Sequence, residues 1–297
     1  MRVTFNSSYR DGIKAVNANA MELAARQKEV ASGKRINCPS DDPTGAVNAI
    51  AERSEIAVMD RYEQAADSVT SRLTVVDSLL SELNDQLTSA KVTVTGAQGS
   101  TATADSRSAA ADQLDGIKEA VLTAMNTQYR GTYLFAGSAS TTRPFTVQGK
   151  TVSAYQGSGE PIAVDVDRQV SVRSGVAGDA ITKGTDASDV FTVLDQVTAA
   201  VRSGDAAGMQ TGLAALGRAL DRAATAQSRV GTDLATVQTQ QQELQTRRLG
   251  DVSRLSSIED SNMAESISSM TRAETAYKAA LSALGSTQTN SLLDYIK

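Results

Sequence analysis

The sequence predicts a mainly α-helical protein, in which long antiparallel helices from the N- and C-terminal halves form a coiled-coil rod around a small central β-rich insert. Three observations support this fold class. Apolar residues recur at alternating spacings of three and four along both halves. No glycine lies between Gly45 and Gly96, whereas glycine is frequent from Gly131 to Gly184. The prolines lie at positions 39, 43, 144 and 161, so helix-breaking residues are confined to one turn and one central block.

Composition excludes several classes of function. The 297 residues contain no histidine, which removes the commonest metal ligand and the side chain that titrates closest to neutral pH. The single cysteine, Cys38, can form neither an internal disulfide nor a zinc site. A net charge of -5 without a basic patch argues against nucleic-acid binding. We therefore expect a protein that is not an enzyme and uses no metal or cofactor.

The chain also lacks the patterns of a membrane protein. No apolar run approaches the roughly 20 residues that a membrane-spanning helix needs. The first residues, Met1 to Asn6, lack the apolar core of a secretory signal peptide. We expect no membrane association, and we expect that any export follows another route.

The first predicted helix leads into a short turn. Its apolar stripe ends near Ser32 and Gly33, where glycine is a plausible C-terminal cap. In the turn that follows, Asp42 precedes Pro43, as an N-cap precedes proline at the first helical position. The stripe consists of Ile13, Val16, Ala20, Leu23, Gln27 and Val30.

The second predicted helix, from Pro43 to Thr95, is the clearest element of the chain. A polar loop from Gly96 to Ser106 leads to a third, antiparallel helix that ends before Tyr129. The stripe of the second helix is Met59, Tyr62, Ala66, Val69, Leu73, Val76, Leu80, Leu83, Leu87, Ala90 and Val94. That of the third is Ala110, Leu114, Ile117, Val121, Ala124 and Gln128.

The central block changes its period from helix to strand. Val164 and Val166 alternate with polar residues, as a half-buried strand requires. Two short apolar segments, 145–147 and 151–153, flank Gln148-Gly149-Lys150 and predict a hairpin. We therefore expect a β-rich, outward-facing domain at 138–188.

Helical spacing returns after the insert. A short helix beginning at Val190 is expected to be capped by Asp189 and interrupted by Gly204 and Gly208. A long stripe then runs from Met209 to Leu244, becomes irregular through Arg247–Asn262, and resumes as Met263, Ile267, Met270, Glu274, Tyr277, Leu281 and Leu284. The helix at about 205–260 is the one long partner for 43–95, which brings the two chain ends together.

This pattern predicts three structural parts. Residues 1–36 and 265–297 would form a terminal assembly segment, and 37–137 with 189–264 a helical rod domain beside the insert. We expect assembly contacts from Ile13, Val16, Leu23, Val30, Ile267, Met270, Tyr277, Leu281, Leu284, Leu292, Leu293 and Tyr295.

The sequence contains one charged cluster but no catalytic constellation. Ser158 lies between glycines, but the chain has no histidine to activate it. The adjacent carboxylates of Asp41 and Asp42 are explained by helix capping. Together with Lys34, Arg35 and Pro43 they form either a solvated turn or a polar joint that orders the chain between two helices. The sequence leaves these two alternatives open.

Three separated strings resemble the flagellin superfamily. They are Ser32–Ala46, Arg130–Gly137 with Pro144-Phe145, and Ser291–Ile296. The prolines that bracket Pro39-Ser40-Asp41-Asp42-Pro43 resemble the members that join the flagellar hook to the filament, since flagellins usually lack both. Residues 147–188 match no motif of the family.

The resemblance implies a structural subunit of the bacterial flagellum that forms a ring between hook and filament through its terminal helices. It implies as partners copies of the chain, the other junction protein, flagellin, and a chaperone that binds the C-terminal segment. It also implies export through the flagellar type III channel. A flagellin that forms the filament itself is the alternative, and a coiled-coil signalling or adhesin module is a more distant one.

Overall fold

The computed structural model describes residues 5–99, 102–149 and 151–293, with side chains described for 9–286 of these ranges. Within them the chain is mainly helical, as predicted. The helices are α1 (Phe5–Ser32), α2 (Pro43–Ala97), α3 (Ala104–Met125), α4 (Gly178–Thr182), α5 (Val190–Ser203), α6 (Ala206–Glu259) and α7 (Met263–Leu293). The strands are β1 (Gln128–Tyr129), β2 (Thr132–Tyr133), β3 (Val147–Gln148), β4 (Thr151–Val152), β5 (Ala163–Asp167) and β6 (Val170–Arg173).

The described residues fall into two compact units. The terminal unit contains the residues up to Val58 and those from Thr246 onward, and the central unit is Met59–Gln245. Helices α2 and α6 each contribute residues to both units. The three-part division expected from the sequence stays a prediction.

Helices α1 and α7 pack against each other in the terminal unit, and they run antiparallel. Asn19 Nδ2 donates to the carbonyl oxygen of Ala276 at 3.5 Å, and Ser266 Oγ lies 2.8 Å from Glu29 Oε1. The partner's number falls as the α1 number rises, which fixes the antiparallel direction. The expected pairing of the two chain ends is therefore confirmed for these helices.

Some residues at the contact between α1 and α7 differ from those of the predicted stripes. Ile13, Ile267 and Leu281 are exposed rather than enclosed between the helices. The α7 residues with reduced exposure instead recur as Ser266, Met270, Ala273, Tyr277, Ala280 and Leu284. The prediction followed the largest apolar residues, but small residues at every other position allow two helices to approach closely. In α1, Gly12 rather than Ile13 lies at the contact, whereas the predicted residues Val16, Ala20, Leu23 and Val30 are half-buried.

The central unit contains the hydrophobic core. The predicted α2 stripe is buried from Ala66 to Val94, and it packs with residues of α3, α5 and α6 in one cluster. Asp67 Oδ1 accepts from Gln241 Nε2 at 2.7 Å, and Asn84 Nδ2 donates to Gln227 Oε1 at 2.8 Å. These pairs make α2 and α6 antiparallel within this unit.

Several helix boundaries differ from expectation. Helix α3 begins at Ala104, because Thr103 caps it by accepting a hydrogen bond from the Ser106 amide at 3.2 Å. Gly204, with φ 73°, ends α5 as predicted, but Gly208 lies inside α6 and does not interrupt it. Helix α6 also continues through the irregular stretch to Glu259. A single glycine and an irregular apolar spacing therefore do not end α6, which packs against other helices along its length.

Three two-stranded antiparallel hairpins form the strand-containing region, β1–β2, β3–β4 and β5–β6. The β3–β4 hairpin and a strand at Val164 and Val166 were predicted, while β1–β2 was missed because Gln128 was assigned to a helix. Its turn residues Arg130 and Gly131 both have positive φ, 49° and 80°, which suits a tight two-residue hairpin. The Phe145 ring packs at 5.5 Å from Tyr155 and 5.0 Å from Phe191 between centroids, so this region shares the helical core.

Candidate assembly surface and joint

The terminal unit has very little core. Its described buried hydrophobic residues are Ile36, Ala46, Ala49 and Ala273, three of which are alanines. The central unit, by contrast, buries phenylalanine, leucine and valine side chains throughout. Burial of an alanine removes far less apolar surface from water than burial of a leucine, so α1 and α7 gain little stability within one chain.

Exposed apolar side chains concentrate in the same unit. Of eleven large hydrophobic residues that are exposed among those described, all but Val92 and Val147 belong to it. These nine residues, which we call the apolar surface, are Ile13, Met21, Val47, Ile50, Leu249, Val252, Met263, Ile267 and Leu281. Large exposed apolar patches are typical of surfaces that contact other molecules, so these residues are candidates for such a contact.

The predicted assembly residues divide between two environments. Val16, Leu23, Val30, Met270, Tyr277 and Leu284 are half-buried on the paired helices. Ile13, Ile267 and Leu281 lie on the apolar surface. Leu292 and Leu293 belong to α7 but their side chains are not described, and Tyr295 lies outside the described residues. A role of these residues in assembly stays a prediction.

The turn after α1 is ordered by Asp41. Gly33, with φ 69°, ends the helix, as predicted. Asp41 Oδ2 then accepts hydrogen bonds from the backbone amides of Cys38 at 2.8 Å and Asn37 at 3.0 Å. These two amides hold the pKa of the Asp41 carboxyl below its ordinary value. The ionised Asp41 carboxylate therefore stabilises the turn through these hydrogen bonds.

Asp42 caps the following helix, as predicted. Its Oδ1 accepts from the Gly45 amide at 2.9 Å, and Pro43 is the first helical residue. Arg35 Nη1 lies 3.2 Å from Asp42 Oδ2. The Gly45 amide first, and then Arg35, hold the pKa of Asp42 below its ordinary value. These contacts favour a polar joint over a turn whose charges only face water.

Glu259, at the end of α6, completes the joint and was missed from the sequence. Its Oε2 lies 2.8 Å from Lys34 Nζ, and its Oε1 lies 2.5 Å from an Arg53 guanidinium nitrogen. Burial raises the pKa of Glu259, but the hydrogen bonds and charges of Lys34 and Arg53 outweigh it, so the pKa lies below its ordinary value. A sequence signal existed, because an acid at a helix C-terminus is unfavourable unless it has a partner.

Backbone hydrogen bonds join the same segments. The Arg35 amide donates to the Glu259 carbonyl at 2.6 Å, and the Ser261 amide donates to the Gly33 carbonyl at 3.0 Å. Arg35 Nη2 also donates to the Ile258 carbonyl at 2.9 Å. Lys34 and Asp260 therefore form an isolated antiparallel β-bridge. Residues 33–43, with 258–261, constitute the joint.

The described part of the chain contains no group of three potential metal-ligating side chains. Across the same residues, none of the helices combines the length and apolarity needed to cross a membrane.

Comparison with known proteins agrees with these features. The model of the bacterial flagellin N-terminal helical region matches residues 5–140. Flagellar hook-associated protein 3 of Escherichia coli strain K12 is 27% identical, with all of both chains covered. The protein of that name from Salmonella typhimurium is 24% identical over 94% of each chain.

Solved structures share the fold. A flagellar hook-associated protein from Vibrio parahaemolyticus matches with a TM-score of 0.70 and 16% identity, covering 74% of this chain and 100% of the other. The flagellar junction protein FlgL of Legionella pneumophila matches with a TM-score of 0.60 and 12% identity, covering 71% of this chain and 99% of the other.

These matches support a protein of the flagellin superfamily. The curated relatives in particular support the hook-associated protein 3, or FlgL, type within it.

Proposed function

We infer that this protein is a structural subunit of the bacterial flagellum that joins the hook to the filament. Its curated relatives are hook-associated proteins, and it is not an enzyme. The observation that carries the assignment within the molecule is the terminal unit, which combines a minimal core with nine exposed large apolar residues. Such a unit gains stability by burying its surface against other subunits.

We further propose that the contacts are made between copies in a ring. Head-to-tail contact between identical subunits closes into a ring when the rotation between neighbours permits it. In this proposal the apolar surface contacts the neighbouring copy, while the half-buried residues of α1 and α7 hold each subunit's own helix pair together. The other hook-associated junction protein and flagellin would bind on either side of the ring.

The export route is also a proposal. The resemblance supports passage through the flagellar type III channel with a chaperone bound to the C-terminal segment. The physical support is that helices with so little core of their own can remain unfolded until assembly, and they then fold as they bind.

Gene deletion and electron microscopy test the function together. In the source bacterium, loss of the chain should leave hooks without filaments and release flagellin into the medium, and the intact gene should restore both. Purified protein should form no long filaments. Long filaments formed by the protein alone would instead support the flagellin alternative.

A further inference from the structure

We propose that Glu259 is a positioning residue of the junction subunit. In this proposal, which rests on the proposed junction function, its carboxylate fixes the path of the chain between α1 and α2 at the end of α6. The terminal helices would then enter the assembled junction in one defined arrangement. Without Glu259 the same helices would form, but the joint between them would open readily.

The carboxylate connects three separate elements of the terminal unit. Lys34 lies in the segment after α1, Arg53 lies in α2, and Glu259 ends α6. Each carboxylate oxygen contacts a different cation, at 2.8 Å and 2.5 Å. One side chain therefore restrains two elements that are distant from it in sequence, and a neutral side chain could not attract both cations.

The environment of the carboxylate makes this contact specific. The Glu259 side chain is only 3% exposed, whereas Lys34 and Arg53 are 42% and 53% exposed. A buried carboxylate is costly unless charged partners compensate for its lost hydration. If the joint opens, the exposed cations regain water, whereas the buried Glu259 carboxylate loses its partners. Opening is therefore unfavourable while residue 259 carries a charge, so removal of that charge should loosen the joint.

The backbone contribution at the joint is small. The β-bridge between Lys34 and Asp260 consists of two amide-to-carbonyl hydrogen bonds, and no further ladder extends it among the described residues. A bridge of this size is weak by itself, since each such hydrogen bond adds little net stability. The side-chain contacts of Glu259 lie beside the bridge and supply the additional restraint.

Amide hydrogen exchange of the full-length chain tests the proposal with a matched pair of variants. Glu259→Gln keeps the side-chain shape but removes the charge. The control, Glu52→Gln, removes a carboxylate that pairs with Arg254 at 3.2 Å on the same two helices, α2 and α6. We expect exchange at residues 34–37 and 260–262 to accelerate about tenfold or more in Glu259→Gln, because hydrogen bonds to a charged group are lost. The control and the central unit should exchange at the wild-type rate.

A double-mutant cycle separates positioning from a general loss of stability. Lys34→Met and Arg53→Met should each loosen the joint alone, but should add little in the Glu259→Gln background. Fully additive effects would overturn the proposal, as would unchanged exchange in Glu259→Gln. The two cation variants also provide the test if Glu259→Gln fails to fold.

The role in the junction needs a second readout in cells. Glu259→Gln should be exported at the wild-type level but should retain fewer filaments on the hook than Glu52→Gln. A loosened joint with normal filament retention would overturn the positioning role in assembly. If even the wild-type gene fails to restore filaments to a deletion strain, the proposed function fails instead, and the exchange experiment still decides whether Glu259 fixes the joint.

Discussion

Gly12 of α1 lies directly against Leu284 of α7, and a Cβ atom built on Gly12 would be 2.8 Å from the Leu284 Cδ1 atom. This contact shows that the paired helices use a residue without a side chain to approach each other. It also places Ile13, the larger neighbour, outside the contact.

Enlarging Gly12 should therefore weaken the pairing of α1 and α7. Gly12→Ala should be nearly neutral, because the flexible end of Leu284 can move and alanine favours the helix. Gly12→Leu should increase amide exchange along both helices. Gly285→Leu is the matched control, since a Cβ atom there meets nothing within 4 Å. Equal effects of the two leucine variants would contradict the close approach at Gly12.

Removal of residues 265–297 should leave the central unit folded. The hydrophobic cluster lies in the central unit. Helix α1 would lose its partner α7 and should unfold, because isolated helices are marginal in water. We expect circular dichroism to retain most of the helical signal and a cooperative thermal transition. Cells with only this shortened chain should lack filaments. Loss of most of the helical signal would show that the central unit depends on the terminal one.

An aspartate on the apolar surface should block assembly without unfolding the subunit. Leu281 is 43% exposed, so Leu281→Asp costs the isolated chain little, but it would place a charge in a subunit contact. Motility should be lost while soluble protein and its melting temperature stay near wild type. Val92→Asp is the control, because Val92 is a 67% exposed apolar residue of the central unit. Normal swimming with Leu281→Asp would remove this residue from the proposed interface.

Acid should open the joint. The pKa values of Asp41, Asp42 and Glu259 are lowered in the folded chain, so their ionised forms stabilise the joint. That stabilisation is complete above the ordinary carboxyl pKa of about 4 and is lost as the pH falls through the lowered values. Exchange protection of residues 34–45, corrected for intrinsic rates, should be constant at mildly acidic pH and fall below about pH 4. Protection that rises on acidification would contradict the assigned charges.

A cavity in the central core should be far more damaging than the same change on its surface. Leu80 is fully buried, so Leu80→Ala should lower the free energy of unfolding by about 2–5 kcal/mol. Val92→Ala, on the exposed side of the same helix, should change it by less than about 0.5 kcal/mol. Urea denaturation followed by circular dichroism measures both. Similar values for the two variants would contradict the assigned core.

The sequence by itself determined the long helices, the caps Asp42 and Asp189, and most of the strand-containing region. A period between three and four residues, Asp42 before Pro43, Asp189 before Val190, and the lack of glycine between Gly45 and Gly96 are all local signals. Local backbone preferences and apolar spacing govern where helices form and end. The charged cluster at 34–43 was also visible in the sequence as a candidate joint.

Only the tertiary structure decided which face of α7 meets α1 and which distant residue completes the joint. A heptad pattern permits more than one phase, and the choice of Ser266, Ala273 and Ala280 over Ile267 and Leu281 depends on how closely two backbones can approach. The partnership of Glu259 with Lys34 depends on a contact across 225 residues. Such contacts are set by the packing of several elements together, and no local pattern of residues specifies them.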